Sequence, residues 1–149
     1  MESYKAQLQT WTLAMKAAEA RKPTAETRRE LSAPGLRTFF RIAEEWGLSI
    51  DQQMTLLGLT ARSTFFKWKK AAPDSLSPDT LERISYILGI YKALQILLPG
   101  REAAKGWIRR PNAASPFAGK AALDVMLSGH VADLFRVRQY LDAERGGWS

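Results

Sequence analysis

Apolar positions recur along most of this chain every three or four residues, the repeat of an amphipathic α-helix. Tyr4, Leu8, Trp11, Met15 and Ala18 make a first stripe, which Arg21-Lys22-Pro23 ends. Such a helix packs on the rest of the fold or on a second subunit, and packing within the chain is the favoured reading. Thr27 to Glu30 predicts a brief helical turn, and Ala33-Pro34-Gly35 an interruption. A helix follows from Leu36 to Trp46 with Leu36, Phe39, Phe40, Ala43 and Trp46 facing inward, closed by Gly47. Further on, Ser77-Pro78-Asp79 supplies a cap, a proline for the first helical position and an acid for the first turn. The helix it opens runs to about Leu98, before Pro99-Gly100. Its apolar set is wider than one stripe, which predicts cover on more than one side. Gly89 within it costs about 1 kcal/mol against alanine and predicts a close helix–helix approach. Beyond Pro99 come a short helix from Arg101 to Ile108 bearing Trp107, an irregular joint to Lys120, a short helix from Ala121 to Leu127 and a longer one from Val131 to Glu144. In the last, Val131, Leu134, Phe135, Arg138 and Leu141 recur at helical spacing. No repeat and no strand pattern emerges, so the expected fold class is all-α.

The stretch from Leu48 to Ala71 reads as helix, tight turn, helix. Ser49 and Gln52 form a capping box for a short helix through Leu57, and Gly58 supplies the left-handed residue that ends it. Thr60 is the expected cap of a second helix over Ala61 to Ala71. Ala61, Thr64, Phe65 and Trp68 share its inward face; Ser63, Phe66, Lys67 and Lys70 share the opposite one, flanked by Arg62 and Lys69. A face of hydroxyls, one phenylalanine and cations without an acid suits the major groove of DNA, although charge-rich helix faces are commonly just solvated. Arg62, Ser63, Thr64 and Phe66 are expected to reach base edges, and Lys67, Lys69 and Lys70 to hold phosphates. From Gly58 to Trp68 the spacing is one residue longer than in common helix-turn-helix repressors.

Composition adds limits. At 149 residues the chain makes one or two small domains. The absence of cysteine removes disulfide and thiolate chemistry and fits the cytoplasm. No membrane span or signal-peptide pattern is present. The net charge of +7 favours an acidic or polyanionic partner. It is spread evenly: residues 1–35 carry six cations against four acids, 36–98 eight against six, and 99–149 eight against five. Two local patches stand out. Arg62 to Lys70 holds four cations and no acid, and Arg101 to Arg110 holds four with one. Catalysis has little to work with: one histidine, His130, expected to open the last helix at the surface, and no phosphate loop or metal-ligand spacing. Asp124 and Asp133 read as solvated helix residues, and no cofactor or metal is expected.

Trp107-Ile108-Arg109-Arg110-Pro111-Asn112, Phe117-Ala118-Gly119-Lys120, Ala122-Leu123-Asp124-Val125-Met126-Leu127 and the run from Val137 to Trp148 resemble the Xre/MbcA/ParS-type antitoxins. The resemblance extends from about Leu36 to Trp148. It implies an N-terminal helical extension (1–35), an Xre-like helix-turn-helix DNA-binding domain (36–98) and a small helical toxin-binding domain (99–149). It also implies a partner, a RES-domain toxin that consumes NAD, whose NAD cleft the C-terminal domain covers, and repression of its own operon through operator DNA. A homodimer or a hetero-oligomer with the toxin is expected. The toxin-binding residues are placed at Arg138, Tyr140, Leu141, Arg145, Gly147 and Trp148. Physically, Arg138 and Arg145 share a helical face with Leu141, and aromatics beside arginine are the material of binding hot spots. Pro111, Asn112 and Gly119 read as loop geometry, and Trp107 as core. The alternative reading is a dimeric helix-turn-helix repressor without a toxin partner.

Overall fold

The computed structural model describes residue 6 and residues 8–14 and 24–146. Its helices are α1 (residues 8–14), α2 (Ala25–Trp46), α3 (Ile50–Leu57), α4 (Arg62–Lys70), α5 (Pro78–Leu97), α6 (Arg101–Trp107), α7 (Ala122–Met126) and α8 (Val131–Gly146). Among the described residues there is no strand; a lone bridge pairs Pro111 with Ala121 across the loop between α6 and α7. Leu8 and Trp11 of the first stripe are buried. Tyr4, Met15, Ala18 and the break at residues 21–23 lie outside the described residues.

Ala33-Pro34-Gly35 does not interrupt the chain: α2 is one helix of 22 residues with Pro34 inside it. Proline there has no N–H to donate, a loss usually worth about 3 kcal/mol or more in a helix interior. Tertiary contacts on both sides of it oppose that cost. The Trp11 indole N–H donates to the Leu31 carbonyl at 2.8 Å. The Ser32 hydroxyl accepts the Leu76 N–H at 2.8 Å, and the Thr38 hydroxyl donates to the Pro34 carbonyl at 2.9 Å. Gly35 lets the indole lie against the helix, since a Cβ there would stand 2.7 Å from the ring. The helix starts on Thr24, whose side chain accepts the Thr27 N–H, and ends on left-handed Gly47.

The Ser49–Gln52 capping box forms as expected, and Gly58 closes α3 at φ 74°. The cap of α4 differs from expectation. Ala61 occupies it with no side-chain hydrogen bond, so Thr60 caps nothing and the helix begins at Arg62. The turn is long enough to end on Ala61, whose carbonyl accepts the Thr64 and Phe65 N–H groups. Ala61 is consequently exposed rather than inward-facing.

Helix α5 opens on Ser77 and Pro78 as predicted. Leu81, Ile84, Ile87, Leu88, Ile90 and Leu94 are all buried, and α2, α3 and α8 pack around the helix. The close approach at Gly89 is made by the Arg138 side chain: a Cβ at Gly89 would lie 2.6 Å from its Nε. In α8 the buried stripe is Leu134, Val137 and Leu141, whereas Phe135 is 45% exposed. The expected stripe through Val131, Phe135 and Arg138 is therefore rotated. The observed one is purely apolar and leaves the charged head of Arg138 at its edge.

The helix-turn-helix corner rests on Gly58, where an added Cβ would also lie 2.9 Å from the Arg83 Nε. Gly58→Ala should destabilise the protein by about 1–2 kcal/mol, the cost of a left-handed alanine, read as a lower urea midpoint with unchanged slope. Gly58→Asn should lose less.

Candidate DNA-binding and toxin-binding surfaces

Helix α4 is anchored by one side chain. Phe65 is 1% exposed and meets Phe40 of α2 edge-on, ring centroids 5.7 Å apart; Thr64 and Trp68 are half-buried beside it. The anchor turns Ser63, Phe66, Lys67, Lys69 and Lys70 to solvent, and Phe66 stays 50% exposed. Three lysines in the last turn complement the negative end of the helix dipole.

The cations of this face are not equivalent. Arg62 donates to Asp51 at 2.7 Å, tying the start of α4 to the first turn of α3, and its guanidinium lies 5.8 Å from the Phe66 ring. Lys69 stands 4.6 Å over the Phe40 ring, on the flank facing α2. Lys67 and Lys70 point outward without ion pairs among the described residues. Sequence reading did not foresee Asp51 as a partner of Arg62. Eleven positions separate the two, and only the turn brings them together.

The second surface lies at the other end of the molecule's chain. Phe117 is buried between Trp107 and Tyr140, with centroid separations of 5.8 and 5.0 Å and nearly perpendicular rings. This aromatic series joins α6, the loop and α8. Tyr140 is half-buried; Leu141, at 2% exposure, is core and supports the surface from beneath rather than offering a contact. Arg138 is folded onto its own chain, 5.9 Å from the Tyr86 ring and 3.5 Å from the Asp142 carboxylate. Arg145 is half-buried near the end of α8. Gly147 and Trp148 lie outside the described residues. A cavity of about 220 Å³ opens between α5 and α8, lined by Leu97, Leu98, Trp107, Tyr140 and Glu144 among others. Phe135, which sequence reading had placed on the inward stripe, packs edge-on against Tyr86 at 5.6 Å and adds an aromatic patch. An unbroken stripe at 134, 137 and 141 was the available signal for it. His130 is exposed, and no cluster of metal-ligating side chains occurs among the described residues. No helix among them is long and apolar enough to cross a membrane.

A corner of two short helices with an outward cationic second helix, followed by a helical unit built on aromatics, defines a helix-turn-helix protein with an appended binding module. Two family models match in that order. "Antitoxin Xre-like helix-turn-helix domain" covers residues 25–89, and "Antitoxin Xre/MbcA/ParS C-terminal toxin-binding domain" covers residues 93–147. The chain belongs to the Xre/MbcA/ParS antitoxin family. It is also similar to the uncharacterized protein y4oB of Sinorhizobium fredii, with 60% identity over 112 residues, 75% of this chain and 84% of that protein.

Asp51→Asn should remove the acid beside the cationic face and release Arg62. DNA affinity in fluorescence anisotropy should rise about two- to fivefold, the equivalent of a surface ion pair, with little change in melting temperature. Replacing Lys67 and Lys70 by glutamine should weaken binding to all duplexes alike and lower the salt slope by about 0.9 per cation.

Proposed function

We propose that this antitoxin neutralises a RES-domain toxin, covering its NAD-binding cleft with the segment from Arg138 to Trp148, and represses its own operon in the cytoplasm through α4. The single observation that supports the reading most is the order of the two modules in one chain, DNA-binding first and toxin-binding second. The molecule acts as a binder rather than a catalyst. Tyr140, Arg145 and Trp148 supply aromatic and guanidinium groups suited to a cleft that accepts a phosphorylated dinucleotide. Arg138 joins them on leaving Asp142, a pair held at 3.5 Å with Arg138 one-fifth exposed. On DNA, Arg62, Ser63 and Phe66 read base edges while Lys67, Lys69 and Lys70 hold phosphates, one α4 per half-site of a dimer; Thr64, half-buried beside Phe65, is turned away from the groove.

Co-expression with the neighbouring reading frame tests the inhibitor half. The toxin alone should deplete cellular NAD and arrest growth, and the intact chain should restore both. A chain lacking residues 145–149 should still fold and bind DNA but restore neither. Full rescue by that truncated chain overturns the assignment of the tail.

A further inference from the structure

The second basic patch, Arg101 to Arg110, sits in the toxin-binding module, yet the fold carries it to the entrance of the helix-turn-helix. Lys105 lies against Gly47, where an added Cβ would be 3.3 Å from its Cε and 3.4 Å from its Nζ. Gly47 is two residues before Ser49, the cap of α3, and four before Asp51, which holds Arg62. Four residues span at most about 14 Å, so with the side chains added Lys105 and Arg62 stand within roughly 25 Å of one another.

The attachment is rigid. Arg109 donates to the Lys105 carbonyl at 3.1 Å, to the Trp46 carbonyl at 2.5 Å and to the Gly47 carbonyl at 3.4 Å. One guanidinium thus fastens the end of α6 to the end of α2. Arg109 is occupied as a staple; Lys105 and Arg110 flank it. Arg110 is exposed, with its Nη1 3.3 Å from where a Cβ at Gly106 would be, and Lys105 is half-buried. Neither makes an ion pair among the described residues.

The geometry points to a second DNA-backbone contact: Lys105 and Arg110 grip phosphates flanking the half-site read by α4, with Arg109 holding them in register. This rests on the reading of α4 as a DNA-binding helix, and it makes the toxin-binding module part of the DNA interface. Charge complementarity and continuity with the helix-turn-helix face select duplex DNA as the partner. The contact is blind to sequence, because point charges on phosphates carry no base information.

The test measures anisotropy of a duplex from directly upstream of the reading frame, and of a scrambled duplex of equal length, across a salt series. Lys105→Gln with Arg110→Gln should lower the slope of log K against log salt by about 2, and weaken both duplexes by the same factor. Arg110→Gln alone should lower it by about 1, and because that residue is exposed the single variant stays informative if the double one melts early. An unmodified chain that binds while both variants keep its slope overturns the flanking contact and leaves the α4 reading intact. An unmodified chain that retards neither duplex overturns both. Loss of toxin co-purification with an unchanged slope assigns the patch to the protein partner and overturns the proposal.

Discussion

Burial of α5 on nearly every side is the constraint on which the rest of the molecule depends. The helix-turn-helix model ends at Gly89 and the toxin-binding model begins at Ala93, so the two modules meet inside one continuous helix and not at a linker. A helix with apolar residues on most of its circumference has to be largely enclosed, and here α2, α3 and α8 pack around it. Re-exposing any one of its buried leucines or isoleucines costs about 1.5–3 kcal/mol, so swinging one module against the other means opening a shared core. The Arg109 staple between α6 and α2 opposes the same motion through hydrogen bonds.

That shared core sets where the charges go. Phe65 takes the inward side of α4, and lysines are left for the outward one. On α8 the buried trio Leu134, Val137 and Leu141 faces the core, which puts Phe135 and Arg138 on the rim. The net charge of +7 is therefore not a property of one half of the chain. Lys105 and Arg109 of the second module lie against Gly47 at the α2–α3 junction, so cations of that module border the first one.

Elements whose signals are local were legible in the sequence. Ser49 and Gln52, Gly58, and Ser77-Pro78 each act within a turn of themselves, and each does in the structure what its residue type requires. The family was legible for another reason, since its Trp, Arg-Pro-Asn, Phe and Tyr-Leu positions hold a specific order. Apart from the cap of α4, which fell to Ala61 and not Thr60, what escaped was decided at long range. Pro34 stays in a helix because Trp11 and Ser32 make long-range hydrogen bonds beside it, Trp11 to the Leu31 carbonyl and Ser32 from the Leu76 N–H. Arg62 meets Asp51, and Arg138 meets Tyr86 and Gly89, through packing that spacing along the chain does not encode. The stripe of α8 was misassigned because both candidate stripes have helical spacing. Only contact with α5 decides between them.

The rim position of Arg138 bears on how a protein partner is met. Its guanidinium already has a carboxylate at 3.5 Å and an aromatic face at 5.9 Å, and its Cδ, Nε and Cζ lie over Gly89. A partner anion that recruits this arginine has to replace Asp142, and in exchange it takes a side chain already ordered by packing against Gly89. Part of the entropy of fixing a long side chain, which can reach about 2 kcal/mol, is thus met in the free protein. Leu141 cannot be recruited in this way without breaking the core. The groups that remain accessible for the proposed recognition are Tyr140 backed by Phe117, Arg145 near the helix end, and the Phe135–Tyr86 pair along the edge. Under the proposed reading, aromatic anchors beside arginine on a helix already held by the core leave little order to be imposed on binding.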